Sequence, residues 1–477
     1  VQVVRSVLAR VWDYKVEHHK EARMSGKSVP TSNSISRDGG TTGVTVGTGG
    51  HSIGTVGNSI GTGGNSIWTA ITVVGLVMGL AVTWQQIRMN EEPIDMAIYL
   101  EGVRTFLQGG EVYSQPMQVG TVLLPFIYPP FGALVMVPLA HLSVKLAGDI
   151  MIAVSSLLLL ACLHFVTRAM MGSPDPTVTA VPERACHALV AIVWPAAMLL
   201  EPVVLNSSFA QINIIIMGLV VLDLVPRRRF LPQGWLIGIA VAIKLTPLVM
   251  LYYFLLKKDI KAIAVSAGSA IAATALAAVV RWDVTVEYFS TTLLGLGGGK
   301  NMGVNTAYQS NSSLKGMIMR WFTSEDALNA HTGLVNIVWL VASFIAIGLA
   351  GWLMVWLLRR GFDTDAWLVN SILMLLISPI SWSHHWVWVA LIVPVFAWRW
   401  FTSSPRSAWF GGTLALWTVL MVTRPPKWWF GDAIDIYALP WWKTFLVSDY
   451  VWLAIALLAL YPLVCKRLSS PAPVSDR

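Results

Sequence analysis

Charge is scarce in this chain. Only 12% of its 477 residues are Asp, Glu, Lys or Arg, where a soluble domain carries about 25%. So little charge cannot cover a water-facing surface, which excludes an ordinary soluble globule. Cysteine is scarcer still. Cys162, Cys186 and Cys465 are the full set, and no C-x-x-C occurs; neither a disulfide framework nor a zinc site is indicated. A basic stripe and a nucleic-acid recognition motif are also lacking, so the formal charge of +8 does not point to a nucleic-acid partner.

Apolar residues are abundant, at 55% of the chain with a mean hydropathy of +0.63. Runs of about 17 or more apolar residues read as membrane-spanning helices. The expected spans fall at about 67–87, 147–168, 187–203, 208–225, 260–281, 334–358, 366–380, 386–400, 406–422 and 449–465, two of them only 15 residues long. The run 233–256 reads as a bent pair of short helices meeting near Lys244–Pro247, because proline removes a backbone donor and disfavours helix just before itself. The expected fold class is therefore all-α, a polytopic membrane protein with about 12 transmembrane helices and interfacial helices in its first outer loop. The first 66 residues differ: HSIGTVG (51–57) and NSIGTGG (58–64) repeat within a Ser/Gly/Thr tract that cannot bury a core. The expected organisation is a disordered cytoplasmic tail over 1–66, one transmembrane domain over 67–466 and a short cytoplasmic tail over 467–477.

Basic residues flank the runs on one side if the N-terminus is inside: Arg168 and Arg184, Arg227–Arg229, Lys257 and Lys258, Arg359 and Arg360, Arg399 and Arg406, Lys466 and Arg467. This satisfies the positive-inside rule. Segments 88–146, 244–247, 282–333 and 378–385 then lie outside, with the Trp- and Pro-rich stretch 423–448 at the interface.

The outer segments hold the polar residues that solvation alone does not explain. In 91–114, Asp95 follows a membrane exit beside Pro93, either as a helix N-cap or as a functional acid. The spacing of Ile98, Tyr99, Val103 and Leu107 fits a short amphipathic helix on the membrane, ended by Gly109 and Gly110; Arg104 lies on it. LPFIYPPFGALVMVPLAHL (124–142) contains Tyr128 and is too short after Pro130 to span, so it reads as re-entrant or interfacial. Lys244 stands inside an apolar run, where a cation costs several kcal/mol; it must snorkel or meet an anion such as a phosphate. The loop 296–314 offers Lys300, Asn305, Tyr308, Gln309, Asn311 and Ser313, a mixture suited to sugar or phosphate or to plain solvation. SPISWSHHWVW (378–388) sets His384 and His385 beside Trp382. Adjacent helical positions point about 100° apart, a poor chelating pair, but a histidine there could be a base or a phosphate donor.

Taken in order, IDMAIYLEGVRTFLQGGEVY, LPFIYPPFGALVMVPLAHL, QINIIIMGLVVLDL, GIAVAIKLTPLVMLYYFLL, NTAYQSNSSLKG and LLISPISWSHHWVW resemble glycosyltransferase family 87 of the GT-C polytopic glycosyltransferases, from about residue 67 to 465. Within that family the likeness is to polyprenol-phosphate-mannose-dependent α-1,2-mannosyltransferases. The resemblance implies a polyprenyl-phosphate-linked sugar donor, a glycolipid or lipoglycan acceptor, and a multi-pass protein of the plasma membrane with its active site on the extracytoplasmic side. It places the family's early acidic residue on Asp95 and its late histidine on His384 or His385. An inverting transfer needs a base, for which Asp95 or a histidine could serve. It also needs positive charge at the departing phosphate, for which Lys244, Arg104 and Lys300 are candidates. Tyr99, Tyr128, Asn305, Tyr308, Gln309, Asn311 and Trp382 are the expected sugar or acceptor contacts. A lipid phosphate leaves without a nucleotide diphosphate, and no D-x-D stands on the outer face, so neither metal nor cofactor is expected. The rivals are an arabinofuranosyltransferase using polyprenyl-phosphate arabinose and, from another class, a transporter or lipid flippase.

Overall fold

The computed structural model describes residues 60–91, 93–119, 122–171, 182–225, 229–295, 305–432 and 434–465. Most of the expected tail over 1–66, the C-terminal tail 467–477 and Lys300 lie outside them. Two compact units are distinguished, 1–70 and 71–477. The first contributes only the helical residues 60–70 to the description.

The architecture is all-α, with one antiparallel hairpin of two three-residue strands, Met117–Val119 and Val122–Leu124. Among the described residues, four helices are long and apolar enough to cross a bilayer: Ser66–Met89, Val144–Met171, Ile260–Val280 and Thr332–Leu358. Two bent pairs join them, Glu183–Ala197 with Glu201–Ser208 and Trp441–Val447 with Asp449–Val464. The outward faces are apolar. On Thr332–Leu358, Ile337, Val341, Phe344, Leu349 and Trp352 are exposed at helical spacing, a stripe that water would not tolerate and that lipid covers. At the centre, Asp363–Ile377 is buried at every position from Asp365 to Leu376, as expected of a helix ringed by others.

The count of 12 crossings does not follow from these elements. The run 233–256 divides into Trp235–Ile243, an extended Lys244, and the arm Thr246–Lys257. At about 1.5 Å per α-helical and 2.0 Å per 3-10 residue the arms reach about 14 and 20 Å, short of a hydrocarbon core of about 30 Å. The first arm packs alongside Ile260–Val280, Gly234 near Ala262 and Gly238 near Ser269. The second returns beside Asp363–Ile377, Val249 near Asn370 and Lys257 near Asp363. The pair is thus a hairpin of two short arms with Lys244 at its tip. A hairpin that enters and returns leaves sidedness unchanged, so the charge asymmetry does not depend on how its arms are counted.

Close approach in the first arm requires Gly234 and Gly238, a small-xxx-small face. A Cβ on Gly238 would lie 1.9 Å from Ser269 Oγ and 2.2 Å from the Ser266 carbonyl oxygen. Ser266 Oγ and Ser269 Oγ donate to the carbonyls of Gly234 and Trp235 at 2.9 and 3.0 Å. Gly238→Val is expected to cost about 1–3 kcal/mol through overpacking, read as a lowered melting temperature in detergent; an unchanged melting curve would contradict this packing.

The first-loop helix, Ile94–Gln108, differs from the expected surface helix. Met96, Tyr99, Leu100, Val103 and Phe106 are buried, and Gly102 lies so close to Phe126 that a Cβ would fall 2.3 Å from its ring. Much of its apolar face therefore packs on protein, while Leu107 near its end is exposed. Gly109, at φ +80°, ends it as a left-handed cap.

Candidate active site

Asp95 occupies the first turn of Ile94–Gln108, but the N-cap is Pro93. Its carboxylate Oδ2 instead accepts a short hydrogen bond from Gln211 Nε2. Tyr99, one turn on and on the same face, donates its hydroxyl to Gln211 Oε1 at 2.6 Å. Tyr128, just before Pro129 and Pro130, sets its hydroxyl 2.7 Å from that of Tyr99 and 3.2 Å from Gln211 Oε1. Lys244 Nζ donates to Asn213 Oδ1 at 2.7 Å, lies 3.4 Å from the Tyr128 hydroxyl and 3.3 Å from His385 Nε2. Asn213 Nδ2 donates to the His384 carbonyl at 3.1 Å. One unbroken polar chain therefore runs from Asp95 through Gln211, the two tyrosines and Lys244 to His385.

Gln211 and Asn213 were not singled out in the sequence. Asn213 opens the helix Asn213–Leu224, and Gln211 lies in the turn between Glu201–Ser208 and that helix, where Ala210 takes a left-handed φ of 50°. A non-glycine residue there stores backbone strain of order 1 kcal/mol, and the turn it makes aims Gln211 back at Asp95. Two amides in an otherwise apolar run were the signal that could have found them.

The cluster divides by exposure. Tyr99, Tyr128, Gln211 and Asn213 are buried, whereas Asp95, Lys244 and His385 each keep part of their surface open. The buried members make a rigid floor; an acid, a cation and an imidazole face the space above it. Burial chiefly pushes the Asp95 carboxyl up to about 6, with the Gln211 hydrogen bond and the Lys244 charge working against it. His384 and His385, in the turn beyond Asp363–Ile377, are held well below the usual histidine range by burial and then by Lys244. With Lys244 as an ammonium, which only donates, His385 Nε2 accepts from it and the neutral ring carries its proton on Nδ1.

The two histidines do different things. His384 is 7% exposed and its ring meets Phe209 edge-on at 5.4 Å. His385 is the one that touches Lys244.

Other expected contacts are not brought to this cluster. Arg104 donates to the carbonyls of Ala140 and Leu142 at 3.1 and 3.3 Å. Asn305 Nδ2 donates to the Tyr437 hydroxyl at 2.9 Å, Tyr308 to the Asp432 carbonyl at 2.8 Å, and Gln309 Nε2 to the Gly431 carbonyl at 2.7 Å. Asn311 is used at both ends: Nδ2 donates to the Thr306 carbonyl at 2.8 Å and Oδ1 accepts from Ser381 N–H at 2.9 Å. It also bridges Trp382, which is half-buried. These side chains tie the loop to 378–383 and 431–437. The amide nitrogens of Asn305, Gln309 and Asn311 are thus already engaged, while the buried Gln309 Oε1 has no hydrogen-bond partner among the described residues.

Residues 126–379 match the model of glycosyltransferase family 87. Over 424 residues the chain is 32% identical to a polyprenol-phosphate-mannose-dependent alpha-(1-2)-phosphatidylinositol mannoside mannosyltransferase of Mycolicibacterium smegmatis, covering 83% of this chain and 90% of that one. The protein of the same description from Mycobacterium tuberculosis is 29% identical over 84% of this chain and 91% of its own. A polyprenol-phosphate-mannose-dependent alpha-(1-2)-phosphatidylinositol pentamannoside mannosyltransferase of Mycolicibacterium smegmatis is 30% identical over 74% and 80%. With the family model matching over half the chain and a relative 32% identical over 83% of it, this chain belongs to glycosyltransferase family 87.

Proposed function

We propose that this chain transfers mannose from polyprenyl-phosphate mannose to a phosphatidylinositol mannoside or related lipoglycan, forming an α-1,2 linkage with inversion at the extracytoplasmic side of the plasma membrane. The observation that carries the reading is the open trio Asp95, Lys244 and His385, in a chain nearly end-to-end homologous to mannosyltransferases.

The acceptor hydroxyl oxygen bonds to the anomeric carbon as the carbon–oxygen bond to the lipid phosphate breaks. The bonding pair leaves with the phosphate, and the hydroxyl proton passes to Asp95. The carboxylate is the base we favour over either histidine. Its proton affinity is raised toward the working pH, where a general base is most effective, while the imidazoles are lowered away from it. Lys244 supplies charge at the departing phosphate, and the His385 Nδ1–H is a donor to the same group or to the sugar. Tyr99 and Tyr128 hold Gln211, which in turn fixes the carboxylate.

The sidedness proposed rests on the basic end of the bundle. Lys257 pairs with Asp363 at 2.7 Å, and Arg399 with buried Asp365 at 2.7 and 2.9 Å. Asp363–Ile377 carries the chain about 21 Å from there to the turn bearing His385. With the basic end cytoplasmic, the cluster opens toward the other half of the bilayer. The family domain we assign runs from 67 to 466.

Gln211→Leu is expected to lower kcat about tenfold and to raise the pH of the acid limb, because it removes a hydrogen bond that favours the charged Asp95. A pH–rate profile coinciding with wild type would contradict the role. The reading as a whole is tested by giving purified protein labelled polyprenyl-phosphate mannose or polyprenyl-phosphate arabinose with phosphatidylinositol mannoside acceptor. Label in an α-1,2-mannoside is expected; transfer of arabinose alone, or no transfer, would overturn it.

A further inference from the structure

Behind the histidines lies a second buried ionic cluster that the transfer chemistry does not use. Lys427 is fully buried. Its Nζ lies 3.3 Å from Asp449 Oδ1 and 3.2 Å from the centre of the Tyr450 ring. It donates to Ser312 Oγ at 2.8 Å and to Ser383 Oγ at 3.3 Å. Ser383 immediately precedes His384. Glu201, also buried, accepts from the Tyr450 hydroxyl at 2.6 Å and from Trp428 Nε1 at 2.8 Å. Glu201 begins the helix whose far end leads into Gln211 and Asn213.

These contacts tie together every segment that brings a residue to the site from behind. Segment 310–313 is laced to 379–383: Ser312 N–H donates to the Ser381 carbonyl at 2.7 Å, and Ser383 N–H to Ser310 Oγ at 3.3 Å. Lys427 bridges the two strands of that lacing through Ser312 and Ser383, and Asp449 anchors it to the helix Asp449–Cys465. A buried ion pair is weak as a source of stability, because desolvation offsets its attraction. Its fixed geometry is what distinguishes it from an apolar filling.

We propose that Lys427, anchored by Asp449, is a positioning residue that sets the Ser383–His384–His385 turn and hence the placement of His385 against Lys244. This rests on the glycosyl-transfer reading of the site, though not on the identity of the sugar. A misplacement of about 1 Å at a reacting centre can cost on the order of 100-fold.

The test compares wild type, Lys427→Met and Ser383→Ala with whichever polyprenyl-phosphate sugar the wild type transfers, rates being taken per folded molecule. Lys427→Met is expected to lower kcat about 10–100-fold. Ser383→Ala keeps the Lys427–Asp449 pair and cuts only the tether; it is expected to lower kcat severalfold, with donor KM within about twofold and an unchanged melting temperature. If Lys427→Met fails to fold, Ser383→Ala decides. A Ser383→Ala enzyme with wild-type kcat, or a Lys427→Met enzyme that melts earlier but turns over normally when folded, would overturn the proposal. An inactive wild type would instead count against the transfer reading itself.

Discussion

Replacing Asp95 by Asn is expected to lower sugar transfer by about 10²–10⁴-fold, with donor KM little changed and the fold intact. The amide matches the carboxylate in shape but cannot take the acceptor proton. The pH dependence gives a second, independent readout. Burial pushes the Asp95 carboxyl up to about 6, and only its ionised form is a base. The wild-type rate should therefore fall as pH drops through about 6 and level off above it, and this limb should be missing from the Asn variant. Transfer measured in membranes, normalised to folded protein, checks both. Near-normal turnover, or an acid limb that survives the substitution, would remove Asp95 as the base.

Lys244→Met is expected to cost about 10²–10³-fold in kcat, the usual scale for losing one preorganised group that stabilises developing charge in a dry site. Donor affinity should weaken as well, since the phosphate is anionic before it leaves. Stability should not suffer in proportion. A methionine at the tip of an apolar hairpin removes a desolvated cation, which offsets the hydrogen bond Asn213 loses. Activity loss with an unchanged or raised melting temperature is the expected pattern. Transfer within about fivefold of wild type would mean that the phosphate departs elsewhere.

The membrane class was legible because it needs only counts of charge and runs of apolar residues, and the hairpin break was legible because Pro247 compels it. Asp95, Lys244 and the histidine pair stood out as polar groups where lipid or a membrane exit makes them costly. The short reach of the hairpin was less visible: an apolar run of 24 positions from 233 to 256 looks long enough to cross until Lys244 is seen to divide it. The protein packing of the first-loop helix was hidden for a similar reason, since an apolar face reads the same whether lipid or Phe126 covers it.

The loop 305–313 shows the opposite limit. Asn305, Tyr308, Gln309 and Asn311 have the composition of a sugar-binding loop, and backbone carbonyls and a tyrosine engage their donors. Composition gives donors and acceptors but not their partners, because those partners lie at 306, 381 and 431–437. Gln211 was hidden for the converse reason. Nothing local links it to a carboxylate 116 positions away, and only the left-handed turn at Ala210 brings them together. Lys427 and Asp449 likewise stand in the Trp-rich stretch and the final helix, with no pattern to mark them as one ion pair.

The most direct measurement is an experimental map of the protein with its donor lipid bound. The lipid phosphate should lie within about 2.7–3.2 Å of Lys244 Nζ, with the anomeric carbon turned toward the open side of Asp95 and His385 in reach of phosphate or sugar. A donor seated away from this cluster, its phosphate touching neither Lys244 nor His385, would contradict the account.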